Sequence, residues 1–154
     1  MAVLELNELK TVLNPGQRLL GLDLGEKAIG LALSDTSLTV ATPLTIMARG
    51  KFSDNATRLD ALVAEHGIGG LIIGLPLNMD GSSGRSAQSA RAFAQNFSRR
   101  SSIPLVMVDE RLSTVVANRV LLEADSSRKK RAETVDKVAA AYILPGALDQ
   151  MRAC

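Results

Sequence analysis

Residues 18–47 read RLLGLDLGEKAIGLALSDTSLTVATPLTIM and decide the fold of this chain. The stretch contains three apolar runs, at residues 18–24, 28–34 and 38–47. Three small or polar residues separate each run from the next, so consecutive runs can pair as antiparallel strands joined by tight turns. We therefore predict a three-stranded antiparallel meander.

Helical and strand patterns alternate after the meander. Residues 53–66 have apolar side chains at helical spacing and stop at Gly67, a typical helix end. Residues 69–76 form a continuous apolar run, which is typical of a strand buried on both faces. The same patterns predict a helix at 86–100, a strand at 103–108, and helices at 112–124 and 132–148. A meander followed by β-α-β-α predicts an α/β fold, with a mixed five-stranded sheet flanked by helices.

The chain has the length and composition of one globular domain. Its 154 residues are 46% hydrophobic and 22% charged, which is not a disordered composition. Residues 3–13 predict a short amphipathic helix, so we divide the chain into an N-terminal extension (1–16) and one domain (17–150). Because Glu5 and Glu8 stand where a secretory signal would carry basic residues, we predict a cytoplasmic protein that contacts no membrane.

Positive charge is concentrated in the second half of the chain. Residues 1–84 contain 6 Lys and Arg against 9 Asp and Glu, a net charge of −3, whereas residues 85–137 contain 11 against 6, a net charge of +5. The densest cluster consists of Arg128, Lys129, Lys130 and Arg131. A solvated surface loop would have the same composition, but a basic half beside buried acids favours a polyanionic partner.

Three acidic positions are candidates for one metal site. Asp23 lies inside an apolar run, where an ionised carboxylate is costly unless a cation compensates its charge. Asp109 and Glu110 follow the last predicted strand, and alternation along a strand allows only one of them to face the site. Asp136 lies on the apolar face of its predicted helix. Each acid alone could be a helix cap or a satisfied core group, but together, without nearby His or Cys, they favour Mg²⁺ or Mn²⁺.

Cations near these acids are candidates for contacts with phosphate. They are Lys27, Arg85 and Arg111. The loop GLPLNMDGSSGRSA (74–87) leads from a strand into a helix whose first N–H groups can bind a phosphate. The loop lacks the Lys-Ser or Lys-Thr of a Walker sequence, so a strand–helix turn capped by Ser is the alternative interpretation.

Four motifs resemble the YqgF family of pre-16S rRNA nucleases, which are also described as Holliday-junction-resolvase-like proteins. The motifs are GLDLGEKAIGLA (21–32), GLPLNMDGSSG (74–84), DERLST (109–114) and VDKVAAAYIL (135–144). The resemblance covers residues 18–148 and implies a ribonuclease H-like fold. It also implies that Asp23, Glu110 and Asp136 are the catalytic, metal-binding acids, which selects Glu110 over Asp109.

The resemblance implies a divalent-metal-dependent hydrolase of phosphodiester bonds that processes the 5′ end of pre-16S rRNA in ribosome biogenesis. Its basic residues would bind the RNA, and it would act as a monomer or a homodimer. One position departs from the family pattern, because Ala28 stands where similar proteins often have Arg. The missing guanidinium would weaken contact with nucleic acid but removes no carboxylate.

Three other functions stay open at this point. The same chemistry could resolve branched DNA, and the same fold could bind nucleic acid without cutting it. The Asp-Leu-Gly turn at residues 23–25 also resembles a turn of actin-like ATPases. Those enzymes hold ATP between two such domains, whereas this chain has the length of one.

Overall fold

The structure is a computed structural model that describes residues 3–76, 84–109, 143–148 and 151. Its helices and strands are β1 (Val3–Leu4), α1 (Leu6–Val12), β2 (Arg18–Leu24), β3 (Ala28–Ser34), β4 (Ala41–Ala48), α2 (Phe52–His66), β5 (Ile68–Leu75), α3 (Arg85–Arg100) and β6 (Leu105–Asp109). Residues 143–148 are also helical, whereas the predicted helix at 112–124 lies outside the described residues. No helix in the described part of the chain is long and apolar enough to cross a membrane.

One mixed sheet organises the described residues, with the strand order β1-β6-β5-β2-β3-β4. Strands β2, β3 and β4 form the predicted antiparallel meander. Strand β5 runs parallel to β2, and β6 runs parallel to β5. The predicted α/β fold is therefore confirmed, with its five strands in one mixed sheet and a short sixth strand at the edge.

The N-terminal segment differs from its prediction. Instead of one helix over 3–13, Val3–Leu4 pair in parallel with β6 and the helix begins at Leu6. The Glu8 carboxylate accepts a hydrogen bond of 3.1 Å from the Glu5 N–H, which satisfies a donor at the start of the helix. The partner of β1 is the distant edge of β6, which no local pattern reveals. The division into an extension and a domain stays a prediction.

The sheet separates two hydrophobic cores. Helices α2 and α3 cover one face, which we call the α2–α3 face, and its core includes Leu20 and Leu22. Helix α1 and residues 143–148 cover the other face, the α1 face, whose core includes Leu19 and Ile72. The two sets alternate along the strands with a period of two residues. This alternation decides on which face each polar strand residue lies.

Strand β4 begins at Ala41, later than predicted, because the side chain of Asp35 closes the preceding turn. Its carboxylate accepts hydrogen bonds from the Thr39 hydroxyl (2.7 Å), the Thr39 N–H (2.8 Å) and the Val40 N–H (3.1 Å). Leu38 has a φ of 57° in this turn, so the backbone is left-handed there. The hydrogen bonds, first of all that of the Thr39 hydroxyl, lower the pKa of Asp35 from 3.8 to about 2.

The lowered pKa of Asp35 predicts a contribution to stability that acid removes. The contribution is present above the unfolded-state pKa of 3.8 and is lost as the pH falls through about 2. Asp35→Asn should therefore lower the thermal unfolding midpoint at neutral pH, and the difference from wild type should shrink between about pH 4 and about pH 2. Thermal unfolding of both proteins across this range measures the difference, and a constant difference would contradict the assignment.

Candidate active site

Asp23 lies near the end of β2 on the α1 face of the sheet. It follows Leu22, which belongs to the core of the opposite face. Its cross-strand neighbour on β3 is Gly30. On the other side Leu22 pairs with Ile73, so the next residue of β5, Gly74, is the neighbour of Asp23. The half-buried carboxylate therefore stands between two positions without side chains, so neither neighbour in its row covers it.

An open cavity of about 260 Å³ lies beside Asp23. Its lining residues are Asp23, Gly25, Glu26, Lys27, Ala28, Gly30 and Ile46. The turn between β2 and β3 contributes one acid and one base to this lining. A carboxylate oxygen at the edge of an open cavity is the kind of hard donor that binds a divalent cation.

Gly25 makes the turn between β2 and β3 tight. Its N–H donates a hydrogen bond of 2.9 Å to the carbonyl oxygen of Ala28. A Cβ atom on residue 25 would lie 2.7 Å from that oxygen, so any side chain there would displace the turn. The turn carries Lys27, which is exposed and lines the Asp23 cavity.

Arg49, which the sequence reasoning missed, connects this turn to α3. Its Nη1 donates to the carbonyl oxygen of Gly25 at 2.9 Å, and its Nη2 donates to Ser89 Oγ at 2.7 Å. The half-buried guanidinium thereby fixes the backbone two residues after Asp23 relative to α3. The bonded groups are 24 and 40 residues away in sequence, so no local pattern could have identified them.

Asn55 holds the backbone that carries Arg49. Its Nδ2 donates to the carbonyl oxygen of Ala48 at 3.0 Å, and its Oδ1 accepts from the Gly50 N–H at 3.0 Å. The side chain is buried, so removing its amide would leave the backbone groups on both sides of Arg49 without these partners. The sequence gives one indication of this role, because Asn55 is a polar residue next to Ala56 in the apolar stripe of α2.

A second cavity, of about 380 Å³, lies across the turn from the first. Its lining residues are Leu24, Glu26, Arg49, Arg85, Ser86 and Ser89. Glu26 lines both cavities, so the two are neighbours. Arg85 is the exposed first residue of α3. Two guanidinium groups against the one carboxylate of Glu26 give this lining a net positive charge, and its two hydroxyl groups are further donors, so the cavity favours an anionic ligand.

Three of the predicted site residues are described by the structure. Asp23 and Lys27 lie at the same cavity, and Arg85 lies at the neighbouring one. The other predicted residues lie outside the described part of the chain: Glu110, Arg111, Arg128, Lys129, Lys130, Arg131 and Asp136. Within residues 3–76, 84–109, 143–148 and 151, no group of three or more His, Cys, Asp or Glu could hold a metal ion. The metal site therefore stays a prediction.

Asp109, the alternative to Glu110, lies on the opposite face from Asp23. It is the last residue of β6 and follows Val108, which packs against the core of the α1 face. Met107, two residues before it, packs on the α2–α3 face. Alternation therefore puts Asp109 on the α2–α3 face, away from the carboxylate of Asp23.

The sheet order and the acid on its first long strand define the ribonuclease H-like class of folds. The crystal structure of the yeast mitochondrial Holliday junction resolvase Ydc2 has this fold and matches with a TM-score of 0.51. The match covers 96% of this chain and 86% of that chain at 11% sequence identity, so it shows a common fold. Residues 17–150 match the model of the family described as "RuvX: Holliday junction resolvase". The chain belongs to this family.

Relatives from several bacteria are similar over nearly their whole length. A protein of Paramagnetospirillum magneticum is 56% identical over 149 residues, which are 97% of this chain and 96% of the relative. A protein of Roseobacter denitrificans is 59% identical over 136 residues, which are 87% of this chain and 83% of the relative. Both are named "Putative pre-16S rRNA nuclease". The resemblance seen in the sequence motifs is thereby confirmed.

Proposed function

We propose that this protein is a divalent-metal-dependent nuclease that hydrolyses phosphodiester bonds and processes the 5′ end of pre-16S rRNA. The observation that carries the proposal is Asp23, a half-buried carboxylate beside a cavity that Lys27 also lines. Membership of the RuvX family supports nuclease chemistry, and the name of the relatives supports an RNA substrate. The activity would belong to ribosome biogenesis in the cytoplasm.

Three carboxylates are proposed to hold Mg²⁺ or Mn²⁺, namely those of Asp23, Glu110 and Asp136. The described part of the site fits such an ion, because Asp23 offers hard oxygen donors and Gly30 leaves its side open. Asp109 lies on the face of the sheet opposite Asp23 and so cannot share an ion with it, which supports the implied choice of Glu110 as the second ligand. A bound divalent ion lowers the pKa of water and stabilises negative charge on phosphate oxygens.

Contacts to the RNA backbone are proposed for seven cationic residues. They are Lys27, Arg85, Arg111, Arg128, Lys129, Lys130 and Arg131. Lys27 and Arg85 lie on the two sides of the β2–β3 turn, so an RNA strand that crosses this turn meets a cation on each side. Arg49 adds a third cation at the second cavity. Phosphate contacts of this kind make binding weaker as salt increases.

Substrate choice is the test of the proposal. Purified full-length protein with Mg²⁺ or Mn²⁺ is given an RNA with the pre-16S 5′ leader, an RNA of equal length without the leader junction, and a four-way DNA junction. We expect cleavage of the leader RNA alone, and a cleavage rate lower by about 10³-fold or more in Asp23→Asn. Binding of the leader RNA without cleavage under either ion would reject the nuclease assignment.

Resolution of branched DNA is the second candidate, and the description of the family favours it. Symmetric cleavage of a four-way junction requires two active sites, so a resolvase should be a homodimer, whereas an RNA-processing nuclease can be a monomer. Cleavage of the junction in preference to the leader RNA, by a dimer in solution, would replace the first candidate by the second.

Arg49 predicts a separate effect on turnover, because it positions the turn that follows Asp23. Arg49→Ala removes two charge-assisted hydrogen bonds, to Gly25 and Ser89, and should lower kcat by about tenfold or more. Arg49→Lys should not restore kcat, since an ammonium group cannot bridge both acceptors in the geometry of the planar guanidinium. Steady-state cleavage assays measure kcat and KM separately, and a rise in KM with unchanged kcat would contradict a positioning role.

A further inference from the structure

Ile46 is an apolar side chain that the fold leaves exposed beside Asp23. Three large hydrophobic residues in the described part of the chain are exposed: Val12 at 47%, Val40 at 58% and Ile46 at 46%. Of these, Ile46 lines the Asp23 cavity and the two valines do not. Single exposed apolar residues are common on protein surfaces, so its position relative to Asp23 must carry the argument.

The register of the sheet puts Ile46 and Asp23 in one row. Gly30 pairs with Asp23 on one side and with Ile46 on the other. The two outer residues are therefore two strand spacings apart, about 10 Å between backbones. Gly30 and the small Ala28 form the floor between them. The cavity is thus a shallow trough with a carboxylate on one wall and an aliphatic side chain on the other.

The charges around this trough decide what part of a nucleic acid can occupy it. Asp23 and Glu26 contribute two negative charges, and Lys27 contributes one positive charge. The divalent ion proposed at Asp23 would attract a phosphate to that wall of the trough, whereas the opposite wall, formed by the Ile46 side chain, has no charge to hold one. Contact with Ile46 also favours a group with apolar surface. The occupant is therefore a nucleoside unit rather than a phosphate.

The volume of the trough sets the size of its occupant. At about 260 Å³ it is below the roughly 300–1,000 Å³ of pockets that enclose a drug-sized ligand. One sugar with its base is therefore the largest unit of the chain that it can receive. The adjoining phosphate then lies at the wall formed by Asp23, where cleavage is proposed to occur.

We propose that the trough between Asp23 and Ile46 is the subsite for one nucleoside next to the cleaved phosphate, and that Ile46 contacts its base. The proposal rests on the proposed nuclease function and adds to it a residue that determines specificity. It predicts that the enzyme distinguishes a nucleotide with a base from an abasic one on one side of the cleavage point.

The test combines a protein variant with a substrate variant. Wild type and Ile46→Ala are assayed on leader RNA that carries either the natural base or an abasic residue next to the cleavage point, tested on each side. On the natural RNA, Ile46→Ala should lower kcat/KM about fivefold, the effect of uncovering about 40 Å² of apolar surface. On the RNA with the abasic residue at the subsite, the same variant should have almost no effect, because the contact is already missing.

Two further variants separate the subsite from a general loss of structure. Val40→Ala removes an exposed aliphatic side chain just before β4, the strand that carries Ile46, and should leave kcat/KM unchanged on both RNAs. Ala28→Leu adds a side chain to the floor of the trough and should reduce cleavage of the natural RNA more than that of the abasic RNA. Equal losses on both RNAs for Ile46→Ala and Ala28→Leu would overturn the proposal.

Failure of the subsite and failure of the nuclease assignment give different results. If wild type cleaves and Asp23→Asn does not, but the Ile46→Ala effect is the same on both RNAs, the nuclease stands and the subsite is wrong. If wild type cleaves nothing, a fluorescence anisotropy titration measures the affinity of wild type and Ile46→Ala for the same RNAs and tests the subsite by binding alone. A loss of affinity in Ile46→Ala that depends on the base would then support the subsite without the nuclease, and a base-independent result would reject both.

Discussion

Asp23→Asn should lower the cleavage rate by about 10³-fold or more, which corresponds to roughly 4 kcal/mol of activation free energy. The substitution keeps the shape of the side chain and removes its negative charge. Since Asp23 stands between Gly30 and Gly74, no neighbouring side chain in its row can replace its oxygens. The loss of one hard oxygen ligand should therefore weaken the proposed metal site and leave the sheet intact.

Single-turnover cleavage of the leader RNA at several Mg²⁺ and Mn²⁺ concentrations measures this effect. Asp54→Asn is the matched control, because Asp54 is an exposed acid in the first turn of α2 and lines neither cavity at the β2–β3 turn. The control should cleave at the wild-type rate. Unchanged thermal unfolding of Asp23→Asn would exclude misfolding, and a rate within about tenfold of wild type would remove Asp23 from the metal site.

The meander could be predicted because its signals are local. Arg18–Leu24 and Ala28–Ser34 begin and end where the sequence predicts, since polar turns bound each apolar run. The start of β4 was wrong by a few residues, because the carboxylate of Asp35 extends the turn through side-chain hydrogen bonds. An acid after a strand does not by itself distinguish a short turn from a long one.

The parts of the site that could not be predicted depend on contacts between residues that are far apart in the sequence. An acid inside an apolar run makes Asp23 a candidate from the sequence, and its catalytic role stays a prediction. Arg49 was missed because its partners lie on another turn and on α3. The position of Ile46 relative to Asp23 was missed because it follows from the register of three strands, in which Gly30 lies between them. Periodicity gives the face of a residue, but only pairing gives its neighbours.

Phe97→Ala should lower the free energy of unfolding by about 3–5 kcal/mol, the largest stability effect expected in the described part of the chain. The Phe97 side chain is fully buried between α3 and the sheet, and its ring lies parallel to that of Phe93 at a centroid distance of 6.4 Å. Its removal leaves a cavity that the rigid sheet below cannot fill by relaxing. The loss would be a large fraction of the roughly 5–15 kcal/mol that stabilises a typical domain.

Phe52→Ala is the matched control, since Phe52 is half-buried and its ring makes a T-shaped contact with that of Phe93 at a centroid distance of 5.2 Å. Partial exposure leaves less apolar surface to lose, so the expected effect is about 1–2 kcal/mol. Urea unfolding of both variants measures the midpoint and its slope. Equal losses would mean that the first turn of α2 is as firmly packed as the last turn of α3. A larger loss for Phe97→Ala would instead show that α3 is the more firmly packed helix. This helix carries Ser89, through which Arg49 holds the turn beside Asp23.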